Sequence, residues 1–288
     1  MIQFFKEVFN HFLDSNTFQK GAALGYYAVF SLLPMIIIIT SLLGIFFGEK
    51  AVSGEIYDQL KGILGNDGST QLQNLIQNQH TNYNSSLTAV IGFATLALSA
   101  AGMFSQVHSS FNSIWNIKAK PKSSIIKYLK QHFVSFLILL FLFLIILVST
   151  STSSFLLKNA DTLKSGADLF YIYEHVISFF VLALIFSIMF TFLSDAKVNF
   201  KASLAAGAFT SLFFLFGKIG IAYLISSSHI STTFGSASLL ALLMIWVYYT
   251  SQIIFLGASF LKVISEKMGH PIKPGENAVE IENRELKE

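Results

Sequence analysis

Long apolar runs separated by short polar breaks organise the chain. Six stand out, roughly 22–47, 86–107, 133–157, 175–194, 204–228 and 237–263. A bilayer core of ~30 Å takes about 20 apolar residues in helix, and each run reaches that length. The runs are solidly apolar rather than alternating, which favours helices over a β-barrel. The first and last leave slack for tilt. The pattern predicts an all-α, polytopic membrane protein with six transmembrane helices over residues 21–265.

Three pieces fall outside that bundle. Over residues 1–20, Phe4, Phe5, Val8, Phe9, Phe12 and Leu13 recur at helical spacing on one face. This predicts an amphipathic helix lying in the cytoplasmic interface, with packing against the bundle as the other placement. Residues 48–85 form the largest external loop, where "EIYDQLKGIL" and "TQLQNLIQ" read as two short amphipathic helices around "GNDGS". The end, 266–288, is charged and contains Pro and Gly, and reads as a flexible cytoplasmic tail.

Charge orients the bundle. Of the nineteen basic residues, Lys50, Lys61, Lys158 and Lys164 fall on one side and Lys218 inside the fifth run. The rest share the side of the two termini, including the acid-free loop that carries Lys118, Lys120, Lys122, Lys127 and Lys130. Basic residues stay inside, so both termini are expected in the cytoplasm. Composition agrees: 53% of the 288 residues are hydrophobic and 12% charged, about half the charged share of a soluble domain. The chain has no cysteine, which excludes disulfides and thiolate chemistry. The N-terminal stretch shows no small-residue cleavage pattern, so no cleavable leader is expected.

The polar residues of three runs fall in stripes. At about 100° per residue, Gly92, Thr95, Ser99, Gly102, Gln106 and Ser109 share one face of the second helix. Ser203, Gly207, Ser211, Lys218 and Ala222 align on the fifth, and Ser238, Ala241, Tyr248, Gln252 and Ser259 on the sixth. Small and polar stripes mark helix–helix contacts in lipid. Lys218 sits ~15 Å from the outer interface by helical rise, deeper than a lysine stem reaches. The runs hold no interior acid to pair with it. The expectation is a polar cavity lined by Lys218, Tyr248, Ser99, Gln252, Gln106 and Thr95 that receives an anionic or zwitterionic group. The competing reading is a packing role, with the ammonium bound by backbone carbonyls. In the first run, Gly21 and Gly25 suit close helix contact. Pro34 predicts a kink there, with Ser31 placed to satisfy the freed carbonyl.

No catalytic constellation emerges. The seven histidines are scattered without metal-ligand spacing. There is no nucleophile elbow, phosphate loop or nucleic-acid module, and Lys218 beside a serine is a cheap coincidence in helices this rich in serine. No enzyme activity, metal or cofactor is expected, and no nucleic-acid partner.

The segments "QKGAALGYYAVFSLLPMIIIITSLLG", "SAAGMFSQVHSSFNSIWNIKAKPK" with its W-N-x-K loop, and the pair "FKASLAAGAFTSLFFLFGKIGIAYLI" and "STTFGSASLLALLMIWVYYTSQIIFLGASFLK" stand out. Together they resemble the YihY/BrkB family of bacterial inner-membrane proteins. Many members carry Gly-Ala-Glu where this chain has Gly257-Ala258-Ser259. The resemblance implies a six-helix protein of the bacterial cytoplasmic membrane, with links to envelope integrity, serum resistance and proposals of transport. An old label for the family, a tRNA-processing ribonuclease, does not suit a chain without a carboxylate–histidine cluster. The combined expectation is transport of a small anionic or zwitterionic solute or lipid through a polar cavity. The alternative is a non-transporting envelope-integrity scaffold or assembly factor. The expected partners are membrane lipids and such a substrate, with room for a homo-oligomer.

Overall fold

The computed structural model describes residues 2–30, 70, 102–120, 167–227, 238–276 and 278–281. These are mostly helical: α1 Ile2–Asp14, α2 over 17–30, α3 over 102–114, α4 Ala167–Phe192, α5 Phe200–Ser227 and α6 Ser238–Lys267. Four short strands join them: β1 Ile117–Ala119, β2 Ala196–Lys197, β3 Lys273–Pro274 and β4 Ala278–Glu280. The chain divides into two compact units, one of Met1–Ser15, His108–Leu215 and Ile253–Glu288, the other of Asn16–Val107 and Phe216–Gln252. Among the described residues, Phe200–Ile221 and Leu240–Lys267 are long and apolar enough to cross a membrane, and Val176–Phe192 is a shorter apolar helix. The runs at 86–101 and 133–157, the end of the first run with Ser31 and Pro34, and the loop 48–85 apart from residue 70 lie outside the described residues.

Local chemistry sets the helix ends. Asn199 caps α5, its Oδ1 accepting the Lys201 N–H at 2.9 Å. Helix α6 stops at Gly269, whose φ of 72° would strain any side chain. The His270 N–H then reaches the Ser265 carbonyl at 2.9 Å and the Gly269 N–H the Glu266 carbonyl at 3.0 Å, which satisfies the last turn. Asn16 and Asn116 take the same left-handed turn just after α1 and α3.

In the first unit, close backbone approach replaces bulky packing. A Cβ on Gly207 of α5 would strike the Ala183 carbonyl and the Ser187 hydroxyl of α4. One on Gly257 of α6 would strike the Thr210 hydroxyl of α5. Ser187 and Thr210 turn their hydroxyls back on the Ala183 and Ala206 carbonyls, at 2.6 and 2.7 Å. Ser211 donates across helices to the Phe179 carbonyl at 2.9 Å. The predicted stripe of α5 is therefore buried at Ser203, Gly207 and Ser211. Phe111, Trp115, Phe190 and Phe255, all fully enclosed, form the aromatic core. Phe111 stacks on Trp115 at 5.4 Å and meets Phe190 at 5.6 Å, edge to face.

Two features correct the expectations. The segment expected as a flexible tail contains two short strands among its described residues: β4 pairs antiparallel with β1 and β3 with β2. The Ile281 N–H reaches the Asn116 carbonyl at 2.8 Å, and the Gly275 N–H the Asp195 carbonyl at 2.7 Å. These ladders also qualify the all-α expectation. Helix α1 packs on the C-terminal part of α6, with Phe4 edge-on to Phe260 at 5.3 Å and Glu7 paired to Lys267 at 2.7 Å. Its apolar residues divide: Val8 and Phe12 are buried, while Phe5, Phe9 and Leu13 stay exposed with Ile2. The helix thus has one face packed and one face exposed.

Candidate functional site

A buried polar trio sits where α3, the α4–α5 connection and the tail converge. His108 and Asn112 lie one turn apart on α3 and project from the same face. Asn112 donates from Nδ2 to Asp195 Oδ2 at 2.8 Å, and the Asp195 N–H donates to Asn112 Oδ1 at 2.9 Å. His108 Nε2 faces the same carboxylate oxygen at 3.5 Å, and its Nδ1 lies 3.4 Å from Asn112 Nδ2. With Asn112 Nδ2 as the donor, Nδ1 accepts, and Nε2 faces the carboxylate. The imidazole and carboxyl side chains are 9% and 8% exposed. The carboxylate is engaged by protein donors, so the trio acts as a clamp between α3 and the connection after α4.

The clamp is continuous with the family-like segments. Trp115 donates from Nε1 to the Ala258 carbonyl at 3.0 Å, joining the W-N-x-K turn to Gly257-Ala258-Ser259. Ser259 is fully buried and its hydroxyl makes no hydrogen bond. Among the described residues, no group of His, Cys, Asp or Glu is placed to hold a metal ion.

Of the residues expected to line a cavity, Gln252, Gln106, Tyr248 and Lys218 fall among the described residues. Ser99 and Thr95 lie outside the described residues. Gln252 turns its amide to the Thr17 carbonyl at 3.4 Å and the Ser251 hydroxyl at 3.5 Å, and its Oε1 is buried without a hydrogen bond. A Cβ on Gly21 would meet that same amide, so α2 and α6 approach closely there. Gln106 is half-buried on α3, and Tyr248 is 36% exposed on α6. Lys218 is exposed rather than enclosed. It lies seven residues beyond buried Ser211, within about 20° of it around the helix axis. Ile219 and Tyr223, 68% and 73% exposed, lie about 80° to 120° from Ser211 on a different face. So Lys218 emerges where the packed face of α5 opens, not at the centre of its most exposed face.

Sequence reasoning missed the trio. The His108–Asn112 spacing of four was visible in "HSSFN", but Asp195 lies far along the chain in a connection that carries no motif. Nor did any alternation announce strands of two or three residues.

Comparison with known proteins follows this geometry. The family model described as virulence factor BrkB matches residues 8–282. A UPF0761 membrane protein of Saccharophagus degradans is 24% identical over 265 residues, covering 92% of this chain and 60% of the relative. One of Teredinibacter turnerae is 23% identical, covering 92% and 61%. A third, Smlt0865 of Stenotrophomonas maltophilia, is 29% identical over 122 residues, covering 42% of this chain and 28% of the relative. The chain thus spans about 60% of the length of the first two relatives. No solved structure gives a significant match. With two helices long and apolar enough to cross a membrane, relatives named as membrane proteins and a family match from residue 8 to residue 282, this chain is a mostly helical membrane protein that belongs to the BrkB virulence factor family.

Proposed function

We propose that this protein moves a lipid or small solute with an anionic or zwitterionic group across the bacterial cytoplasmic membrane, along an open face of α5 that carries Lys218. It crosses six times with both termini inside. One observation carries the reading: Lys218 continues the line of Gly207 and Ser211, yet it is exposed where they are buried. An ammonium in hydrocarbon is costly. A lysine kept at that depth, on the opening of a packed face, fits a path that admits an anionic headgroup. Gln252, with a buried unbonded Oε1, supplies a polar acceptor in the same unit.

The test is reconstitution of the full chain in vesicles that contain a fluorescent phosphatidylglycerol in the inner leaflet. Wild type accelerates its appearance in the outer leaflet, Lys218→Arg keeps the acceleration, and Lys218→Met reduces it to the rate of protein-free vesicles. Equal rates for wild type and empty vesicles remove lipid movement. A Lys218→Met protein as fast as wild type removes this residue from the path. A second reading, an envelope scaffold, is favoured by the exposed apolar face of α1 and the ordered tail, which offer surfaces independent of any path.

A further inference from the structure

The α4–α5 connection contains an arrangement that folding alone does not favour. In the β2–β3 ladder Lys197 stands directly opposite Lys273. Cross-strand partners bring their Cβ atoms to about 4.5–5.5 Å, and like charges there oppose the pairing. Both lysines are exposed. The ladder is two residues long, and the neighbouring bond from the Gly275 N–H to the Asp195 carbonyl holds the two lysines opposite each other despite the repulsion. Glu276 answers it in part, 3.8 Å from the Lys197 ammonium, but that pair is open to water on both sides. The Glu276 backbone carbonyl takes the Lys120 ammonium at 3.2 Å. Lys118 and Lys201 add further exposed positive charge to the same unit.

Position identifies what resolves the repulsion. Lys197 lies between two apolar helices, five residues past the end of α4 and three before the start of α5. The helix ends beside it, Phe192 and Phe200, leave their rings 53% and 49% exposed. Exposed rings next to exposed lysines belong to the boundary between hydrocarbon and headgroups. We infer that Lys197 and Lys273 form a binding site for the phosphate of an anionic phospholipid, and that its occupancy holds the tail in place. A phosphate between the two ammoniums turns a repulsive pair into two charge-assisted contacts. Because Lys197 belongs to the connection and Lys273 to the tail, the lipid staples β3 to β2. This inference stands apart from the transport reading and needs neither Lys218 nor a solute path.

The experiment is hydrogen exchange of residues 272–281 in the full chain, held in nanodiscs of phosphatidylcholine alone or with phosphatidylglycerol. Phosphatidylglycerol slows tail exchange about fivefold to tenfold, the size expected from relieving one like-charge pair and gaining charged hydrogen bonds. Inorganic phosphate added to phosphatidylcholine discs leaves the exchange fast. Lys273→Glu places an acid opposite Lys197, so its tail is protected equally in both lipids. Equal protection of the wild type in both lipids overturns the inference. So does a Lys273→Glu protein that keeps the lipid dependence, and protection by inorganic phosphate alone overturns the lipid as its source. Exchange of α5 in the same samples verifies that each protein is folded.

Discussion

Replacing Asn112 by Ala tests whether the clamp holds the first unit together. The side chain serves Asp195 twice, giving a hydrogen bond to its carboxylate at 2.8 Å and taking one from its backbone N–H at 2.9 Å. The carboxylate is 8% exposed, so water cannot readily replace the lost donor. A hydrogen bond to a charged group contributes about 1.5–3 kcal/mol, and a buried N–H left unpaired costs about 1–3 kcal/mol. His108 remains within 3.5 Å of the same oxygen and offsets part of this. The expected loss is about 2–4 kcal/mol. The chain has two tryptophans, Trp115 and Trp246. In a Trp246→Phe background the remaining indole is fully buried, three residues from Asn112, and reports directly on this region. Unfolding by SDS titration in mixed micelles, followed by that fluorescence, should show the midpoint of Asn112→Ala well below its parent. A midpoint displaced by less than about 0.5 kcal/mol, the range of an ordinary surface substitution, would refute the clamp.

Two further outcomes follow. Gly207→Leu should destabilise by about 1–3 kcal/mol or prevent folding, because its Cβ meets the Ala183 carbonyl, whereas Gly220→Ala has open space and should be near neutral; thermal aggregation in detergent separates them. His11 is held below its ordinary value of 6.5, first by burial and then by Lys262, with Glu266 and Asp14 pulling the other way. The unfolded form therefore binds more protons, so the contribution of His11 to docking α1 is complete above pH 6.5 and fades as pH falls further. Amide exchange of residues 2–14 should be faster at pH 5 than at pH 7.5 after correction for intrinsic rates, and His11→Asn should flatten the difference.

What the sequence disclosed depended on how far each signal reaches. The apolar runs at 175–194, 204–228 and 237–263 overlap helices α4, α5 and α6, because a run of that length has few other outcomes. Gly207 and Ser211 could be placed on a contact face from periodicity alone. The same periodicity carried Lys218 along with them, since a helical wheel gives azimuth and says nothing of where a neighbour ends. The strands of the tail were not legible for a related reason. "HPIKPGENAVEIE" is polar enough to look unstructured, and its order comes from strands elsewhere in the chain that composition does not register. Asp195 reads in the sequence only as an acid flanking the fourth run, because the value of a buried carboxylate lies in its partners, and Asn112 belongs to a different helix.

The pairing of β1 with β4 has a consequence for biosynthesis. The ribosome delivers Ile117–Ala119 long before Ala278–Glu280, so the early strand waits for its mate until α6 has already been made. The seam can close only after α6 has left the exit tunnel. A chain stalled short of residue 278 would present the Asn116 carbonyl and its neighbours unmatched, a mark by which a protease at the membrane could tell copies that lack β4 from copies that have it.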